Sequence, residues 1–322
     1  MLFGKRDYRF CVKVIYLSRM SDQIRVAILT GGISSEREIA LQSAEGVRQA
    51  LGLYDDVEMF DLPSQLDLFL EKRGEIDVAI PIFHGKGGED GSIQGFLNTL
   101  NIPFLFSDTE AHAIALNKVI TKELARSAGI HTAPFVVLEK KNRNEGTYKR
   151  PCVIKPIDGG SSIGITLAMD QESFEKGLDE AFAHGFTLLI EDSIPGDEYT
   201  VAVIEENDKP VALPVIAIKS KNAFFDFESK YNPHLVEEVC PAPIEDSLRE
   251  RLQEMAIRIH QLIGARHLTR SDFIVDKEGV IWFLEINTIP GQTLNSLVPK
   301  AIRASGRKIE DVFTEWICDV LH

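Results

Sequence analysis

The stretch Leu268-Thr269-Arg270-Ser271-Asp272-Phe273-Ile274-Val275, then Asp276-Lys277-Glu278-Gly279, then Val280-Ile281-Trp282-Phe283-Leu284-Glu285-Ile286-Asn287-Thr288, reads as two strands joined by a hairpin turn. Strand side chains alternate faces, so Arg270 and Asp272 share one face while Phe273 and Val275 take the other. On the second strand Glu285 and Asn287 share a face, opposite Trp282, Leu284 and Ile286. Pairing through the turn is expected to gather Asp272, Glu285 and Asn287 beside Arg270. An all-oxygen set of this kind suits a hard cation, and Mg²⁺ typically takes one or two carboxylates plus substrate phosphates. The plain alternative is a charged, exposed strand face with Arg270 paired to a carboxylate. The abrupt polar turn Asn287-Thr288-Ile289-Pro290-Gly291-Gln292-Thr293 favours the ligand reading, because such a turn can present backbone N–H groups to an anion.

Upstream, Leu248, Leu252, Met255, Ile259 and Leu262 form one face of an amphipathic helix. Before it lies a long polar connection, Lys219 to His234, whose length suits a functional lid. Strands are expected at Phe135–Leu138, Cys152–Ile157, Leu188–Ile190 and Tyr199–Ile204, with a glycine and serine cluster, Asp158 to Gly164, just after Lys155. Asp108 to Ala128 reads as one helix closed by Gly129. Nearer the N-terminus, strands at Ile24–Leu29, Ile76–Phe83 and Ile102–Phe106 alternate with helical segments, which indicates a parallel α/β layer. Ser35 with Glu38 fits a capping box for the first of those helices.

The chain has 322 residues, about two domains by length, and 44% hydrophobic residues, ample for real cores. Its 35 Lys+Arg against 49 Asp+Glu give a formal charge of −14, which repels phosphate backbones, and no basic cluster marks a nucleic-acid surface. The four cysteines are scattered, so a reducing, cytoplasmic setting is expected. No apolar run approaches the roughly 20 residues of a membrane span.

Several stretches together resemble the ATP-grasp carboxylate–amine ligases, and within them the D-alanine:D-alanine ligases. They are Gly31-Gly32-Ile33-Ser34-Ser35-Glu36-Arg37-Glu38, His84-Gly85-Lys86-Gly87-Gly88-Glu89-Asp90-Gly91, Lys155-Pro156 with Gly160-Ser161-Ser162-Ile163-Gly164, and Arg270-Ser271-Asp272-Phe273 through Glu285-Ile286-Asn287-Thr288-Ile289-Pro290-Gly291. They stand in the family's order and span about Ile24 to the C-terminus. The resemblance implies an α/β, three-domain ATP-grasp molecule: an N-terminal parallel α/β substrate domain, 1–106, with an extra segment at 1–19; a central α+β domain, 107–191; and a C-terminal α+β domain, 192–322, with a lid loop at 219–234. It also implies that one D-alanine carboxylate attacks ATP to give an acyl phosphate, which a second D-alanine amine converts to the dipeptide for peptidoglycan synthesis.

Residue by residue, the resemblance assigns Lys118 and Lys155 to phosphates, Lys230 to the bound nucleotide from the lid loop, and Glu191, Ile194 and Glu198 to adenine and ribose. Asp272, Glu285 and Asn287 match the ligands of two Mg²⁺ or Mn²⁺ ions, while Arg270 and the N–H of Gly291 match the groups facing the tetrahedral oxyanion. Glu36 matches the holder of the first D-alanine's ammonium, in a triad with Ser161 and Tyr231 and with His84 nearby. Ser296 and Leu297 match the segment that receives the second substrate's carboxylate. Taken by themselves, Glu36 and Ser296 also suit helix starts, and Lys118 a solvated helix face. A homodimer is expected from the family.

Two features depart from the pattern. About nineteen residues before Met20 have no counterpart, so either Met20 is the start or the segment is an added strand or arm. Gln292 stands where Met is common. Relatives that make D-alanyl-D-lactate place His where this chain has Tyr231, although His234 is close by. The competing expectations are the same fold acting on D-lactate or D-serine, and a catalytically inactive nucleotide-binding protein. A dinucleotide oxidoreductase is disfavoured, because Gly31-Gly32 does not continue as Gly-x-Gly-x-x-Gly.

Overall fold

The computed structural model describes residues 24–52, 54, 56–160, 163–220 and 236–321. The expected strands alternating with helices build its first layer. Strand β1 (Val26–Gly31) is buried at every position, and helix α1 (Arg37–Ala50) follows with Ala40, Ser43, Ala44, Val47 and Ala50 on its buried face. Strand β2 (Val57–Leu62), a half-buried strand that sequence reasoning missed, helix α2 (Leu66–Lys72) and strand β3 (Val78–Pro81) complete a parallel sheet of order β2-β1-β3.

Three local expectations fail for identifiable reasons. The capping box of Ser35 and Glu38 does not form. Glu36 occupies the cap position without a side-chain cap, and the neighbouring Ser34 hydroxyl accepts the Glu36 N–H (3.2 Å) and donates to the His84 carbonyl (2.6 Å). The expected strand at Ile102–Phe106 reduces to one bridge between Ala79 and Phe104, since Pro103 has no N–H to donate and Phe106 turns to φ +72°. After helix α3 (Ser92–Leu100), the single helix expected over 108–128 is two, α4 (Thr109–Leu116) and α5 (Lys118–Ser127). Asn117 breaks them by taking an extended conformation, and its side-chain oxygen caps α5 at the N–H groups of Val119 and Ile120 (3.1 and 3.2 Å). That break starts a fresh helix at Lys118.

The second layer is an antiparallel sheet of β4 (Phe135–Glu139), β5 (Cys152–Pro156), β6 (Thr166–Ala168) and β7 (Thr187–Asp192), in the order β4-β7-β5-β6. Helix α6 (Gln171–His184) lies on it at Gly177, where a Cβ would come within 2.9 Å of Thr166. The third contains β8 (Asp197–Glu206), β9 (Lys209–Ala212), β10 (Ile216–Ser220) and β11 (Val236–Val239), then helix α7 (Asp246–Leu262) and the hairpin strands β12 (Leu268–Val275) and β13 (Ile281–Asn287). Its order is β11-β10-β8-β12-β13, with β9 on β8. Leu252, Ala256 and Ile259 of α7 join Phe273, Phe283 and Ile286 in one core. Helices α8 (Leu297–Ala304) and α9 (Ile309–Leu321) bury Ile302, Phe313 and Trp316 in another, together with Ile28 and Ile80 of the first sheet and Leu268 of the third. No helix among the described residues is long and apolar enough to cross a membrane.

His267 fastens the first and third sheets. Its ring stacks on Trp316 (centroids 5.6 Å, 14°) and its Nδ1 accepts the Phe106 N–H at 2.9 Å. Burial, helped by the Arg266 charge, lowers its pKa from 6.5 to about 3. Because the folded form resists a proton that the unfolded chain takes up near 6.5, stability from this group is present above 6.5 and is lost as pH falls toward about 3. The melting temperature should therefore decline as pH drops from about 7 to about 5, and His267→Phe should flatten part of that slope. Equal slopes for the two proteins, by thermal denaturation followed by circular dichroism, would contradict this.

Candidate active site

The hairpin gathers the expected charges, but a bulge interrupts strict alternation, so that Leu284, expected on the opposite face, shares the cavity lining with Glu285 and Asn287 while Phe283 joins the core. Asp272 faces Glu285 and Arg270 faces Asn287, with a bulge between Asp272 and Phe273. Arg270 is almost fully buried and forks onto Asp272, Nε to Oδ1 at 3.0 Å and Nη2 to Oδ2 at 2.8 Å. Burial disfavours this cation, but Asp272, with Glu285 and Glu89 further off, outweighs it and holds the guanidinium above its ordinary range. Thr200, on the neighbouring β8, donates to Asp272 Oδ1 at 2.5 Å. Glu285 pairs with Lys118 at 3.2 Å, and Lys118 also donates to the Gly159 carbonyl at 2.5 Å. The helix break at Asn117 thus places Lys118 against both the hairpin and the glycine loop.

Among the described residues no three His, Cys, Asp or Glu side chains cluster closely enough to hold a metal alone. Two carboxylates and the Asn287 amide, whose buried Nδ2 has no hydrogen-bond partner, form an oxygen set that fits Mg²⁺ when phosphates complete the shell.

The N-terminal loops close the other side. Glu36 is buried, and its carboxylate lies 2.6 Å from where a Cβ on Gly160 would stand and 2.8 Å from one on Gly85. Only glycine lets the two loops approach it this closely, and Gly85 also takes φ +73°. Gly85 donates its N–H to Glu89 Oε2 at 2.7 Å. Burial, then the Glu36 charge, raises Glu89 to about 8, so it stays protonated near neutrality. The sequence carried Glu89 only as part of its glycine motif; a carboxylate amid the four glycines of His84 to Gly91 was the available signal.

Ser43 on α1 joins these loops to the turn after β13. Its Oγ is hydrogen-bonded to His84 Nε2 (3.1 Å) and accepts the Gln292 N–H (3.3 Å). Gln292 is buried and donates to the Pro290 carbonyl at 3.0 Å, bracing the Pro290-Gly291 turn. Ser296 stands at the start of α8, and its hydroxyl bonds Thr293 Oγ1 at 2.7 Å instead of capping the helix. Glu191 on β7 is buried between two lysines, Lys155 on its Oε1 and Lys122 on its Oε2.

One cavity of about 1710 Å³ brings together Glu36, His84, Lys155, Glu191, Ile194, Glu198, Arg270, Asp272, Glu285, Asn287, Gly291, Ser296 and Leu297. Lys118 lines a small adjoining space with Glu89, Glu285 and Asn287. Ser161, Lys230 and Tyr231, and with them most of the expected lid, lie outside the described residues. Ser43, Thr200 and Lys122 were missed by sequence reasoning, since each acts by meeting a residue far away in the chain.

The chain matches the family model described as D-ala D-ala ligase C-terminus over residues 124–318 and that described as D-ala D-ala ligase N-terminus over residues 60–107. It is 39% identical to the D-alanine--D-alanine ligase of Syntrophotalea carbinolica over 293 residues, 90% of this chain and 94% of the relative. Its structure is similar to that of the D-alanine--D-alanine ligase from Bacillus anthracis complexed with ATP, with 27% identity, 92% of this chain and 97% of that one covered, and a TM-score of 0.77. It is also similar to the VanG D-Ala:D-Ser ligase from Enterococcus faecalis, with 25% identity, 94% and 100% covered, and a TM-score of 0.77.

The α1 helix approaches the turn after β13 closely at Gly46, where an added Cβ would stand 2.3 Å from the Gln292 carbonyl oxygen. Gly46→Ala should therefore push helix and turn apart and cost about 1–3 kcal/mol by urea denaturation, despite alanine's better helix propensity. An unchanged or higher midpoint would contradict the contact.

Proposed function

This chain belongs to the D-alanine–D-alanine ligase family, and we propose on that premise how its residues use ATP to join two D-alanines into D-alanyl-D-alanine for peptidoglycan synthesis. The observation that carries the reading is the single cavity in which Glu36, the Arg270–Asp272–Glu285–Asn287 hairpin face and the Gly291–Leu297 turn meet.

Lys155 and Lys118 hold the nucleotide phosphates from two sides, together with Lys230, while Ile194 and Glu198 receive the adenosine and the backbone beside Glu191 borders it. Asp272, Glu285 and Asn287 would hold Mg²⁺ or Mn²⁺, which when bound neutralises phosphate charge and polarises the γ-phosphoryl group. Glu36 holds the first D-alanine's ammonium, so that its carboxylate is aimed at the γ-phosphorus. A carboxylate oxygen forms the new P–O bond as the bond to ADP breaks, giving D-alanyl phosphate and ADP. The second D-alanine, its carboxylate received at Ser296 and Leu297, attacks the acyl carbon with its neutral amine. Arg270 and the Gly291 N–H face the oxyanion that develops, and its collapse expels phosphate. Glu89, which burial and then the Glu36 charge raise to about 8, stands beside this ammonium site. Ser161 and Tyr231 complete the triad with Glu36, His84 stands beside it, and the segment 219–234 closes over the nucleotide.

The three-part division at 106 and 191, a homodimer and a cytoplasmic location complete the proposal. The D-Ala:D-Ser ligase neighbour shares the fold at 25% identity, whereas a relative at 39% is a D-alanine--D-alanine ligase, which favours D-alanine as acceptor.

With ATP, Mg²⁺ and D-alanine, the protein should release phosphate and form dipeptide in equal amounts, and D-lactate should not replace the acceptor. Glu285→Gln should lower turnover roughly 100-fold or more while keeping a near-normal melting temperature. Absence of D-alanine-dependent phosphate release would falsify the activity, and an unfolded Glu285→Gln would make that carboxylate a structural residue.

A further inference from the structure

Among the described residues Lys122 is the most deeply buried charge for which the mechanism above has no use: its side chain has no solvent exposure. It projects from α5 into the space behind β7, where its Nζ sits among three oxygens. They are Glu191 Oε2 at 2.8 Å, a charge contact bent away from hydrogen-bond alignment, Thr132 Oγ1 at 3.0 Å and the Phe283 carbonyl at 3.5 Å. Lys122 does not line the cavity, whereas Lys155 and Glu191 do. The carboxylate is therefore divided, with Oε1 toward Lys155 at the cavity wall and Oε2 toward Lys122 behind it.

We propose that Lys122 is a positioning residue for nucleotide binding: it holds the Glu191 carboxylate from behind, so that Lys155 can leave that carboxylate for the phosphates of ATP. This rests on the function proposed above.

The physical reason is the cost of an unpaired buried charge. A phosphate that draws Lys155 away would strand a carboxylate that is 3% exposed. Its alternatives would be to keep Lys155, in competition with the nucleotide, or to take up a proton. Lys122 removes both, because its own contacts with Thr132 and Phe283 keep it in place whatever Lys155 does. The charge balance points the same way. Burial would raise the Glu191 pKa, but Lys122 first and Lys155 second outweigh it and hold the group below its usual range. Burial in turn draws Lys122 down to about 8 against the attraction of Glu191, and repulsion from Lys155 adds to the fall. Departure of Lys155 would relieve that repulsion and strengthen the remaining pair.

The test is calorimetric binding of a non-hydrolysable ATP analogue with Mg²⁺, set beside steady-state constants for D-alanine. Lys122→Met should raise the analogue's Kd roughly 10- to 100-fold while the KM for D-alanine moves less than about twofold, and Lys122→Arg should recover most of the affinity. If Lys122→Met fails to fold, the double variant Lys122→Met with Glu191→Gln takes its place, since it removes both charges. Its analogue Kd should equal that of Glu191→Gln alone, because Lys122 acts only through Glu191. Three results would overturn the proposal: wild-type affinity in Lys122→Met, parallel loss of nucleotide and D-alanine constants, or a further loss in the double variant. A wild-type protein that binds the analogue but does not turn over D-alanine would instead sink the ligase reading, with the role of Lys122 still decided by binding.

Discussion

The structure depends on ion pairs, mostly buried, that gather in and around one cavity: Arg270 with Asp272, Lys118 with Glu285, and Lys155 and Lys122 with Glu191. A dry charge is tolerable only when it is matched; Arg270 finds its match two residues along the same strand, and the other pairs tie together elements far apart in sequence. Lys118 couples the start of α5 to β13, Lys155 and Glu191 couple β5 to β7, and Lys122 couples α5 to β7. The overall charge of −14 says nothing of this, because it is dominated by solvated carboxylates. What matters locally is that basic and acidic groups are already paired where a triphosphate must enter. Phosphate competes for the cations and a divalent ion competes for the carboxylates, so the two are expected to arrive together.

Close backbone approach carries the rest of the site. Gly85 and Gly160, having no Cβ, let both glycine loops approach Glu36 closely, and α1 lies against the turn after β13 at Gly46 as well as at Ser43. Ser43 spans the remaining gap between His84 and Gln292. Gln292 has a physical role: its amide braces the carbonyl of Pro290, beside the Gly291 N–H proposed to face the oxyanion.

The hairpin was legible because a local turn and period-two alternation bring its charged residues together, whereas the bulge that turns Leu284 onto the same cavity as Glu285 was not. Arg270, Asp272, Glu285 and Asn287 could be placed from those rules alone, and their proposed roles came from the resemblance. The N-terminal α/β layer was legible for the same reason, since buried strands read as apolar runs. What was not legible arose where one side chain had a better partner elsewhere. Ser34 bonds the His84 loop, so the capping box fails beside it. Asn117 caps a helix that begins in the middle of a continuous helical pattern. The charged β2 strand alternates too weakly to stand out, and Ser43, Thr200 and Lys122 look ordinary until the fold brings up their partners.

The central claim is that nucleotide enters by exchanging the Lys118–Glu285 and Lys155–Glu191 pairs for phosphate and metal contacts, while Lys122 keeps Glu191. It is tested most directly by comparing the affinity of a non-hydrolysable ATP analogue with Mg²⁺ and with excess chelator, at fixed ionic strength. The account predicts binding at least roughly 10-fold tighter with Mg²⁺, since Asp272 and Glu285 otherwise face the phosphates unneutralised. Equal affinity in the two conditions would contradict it.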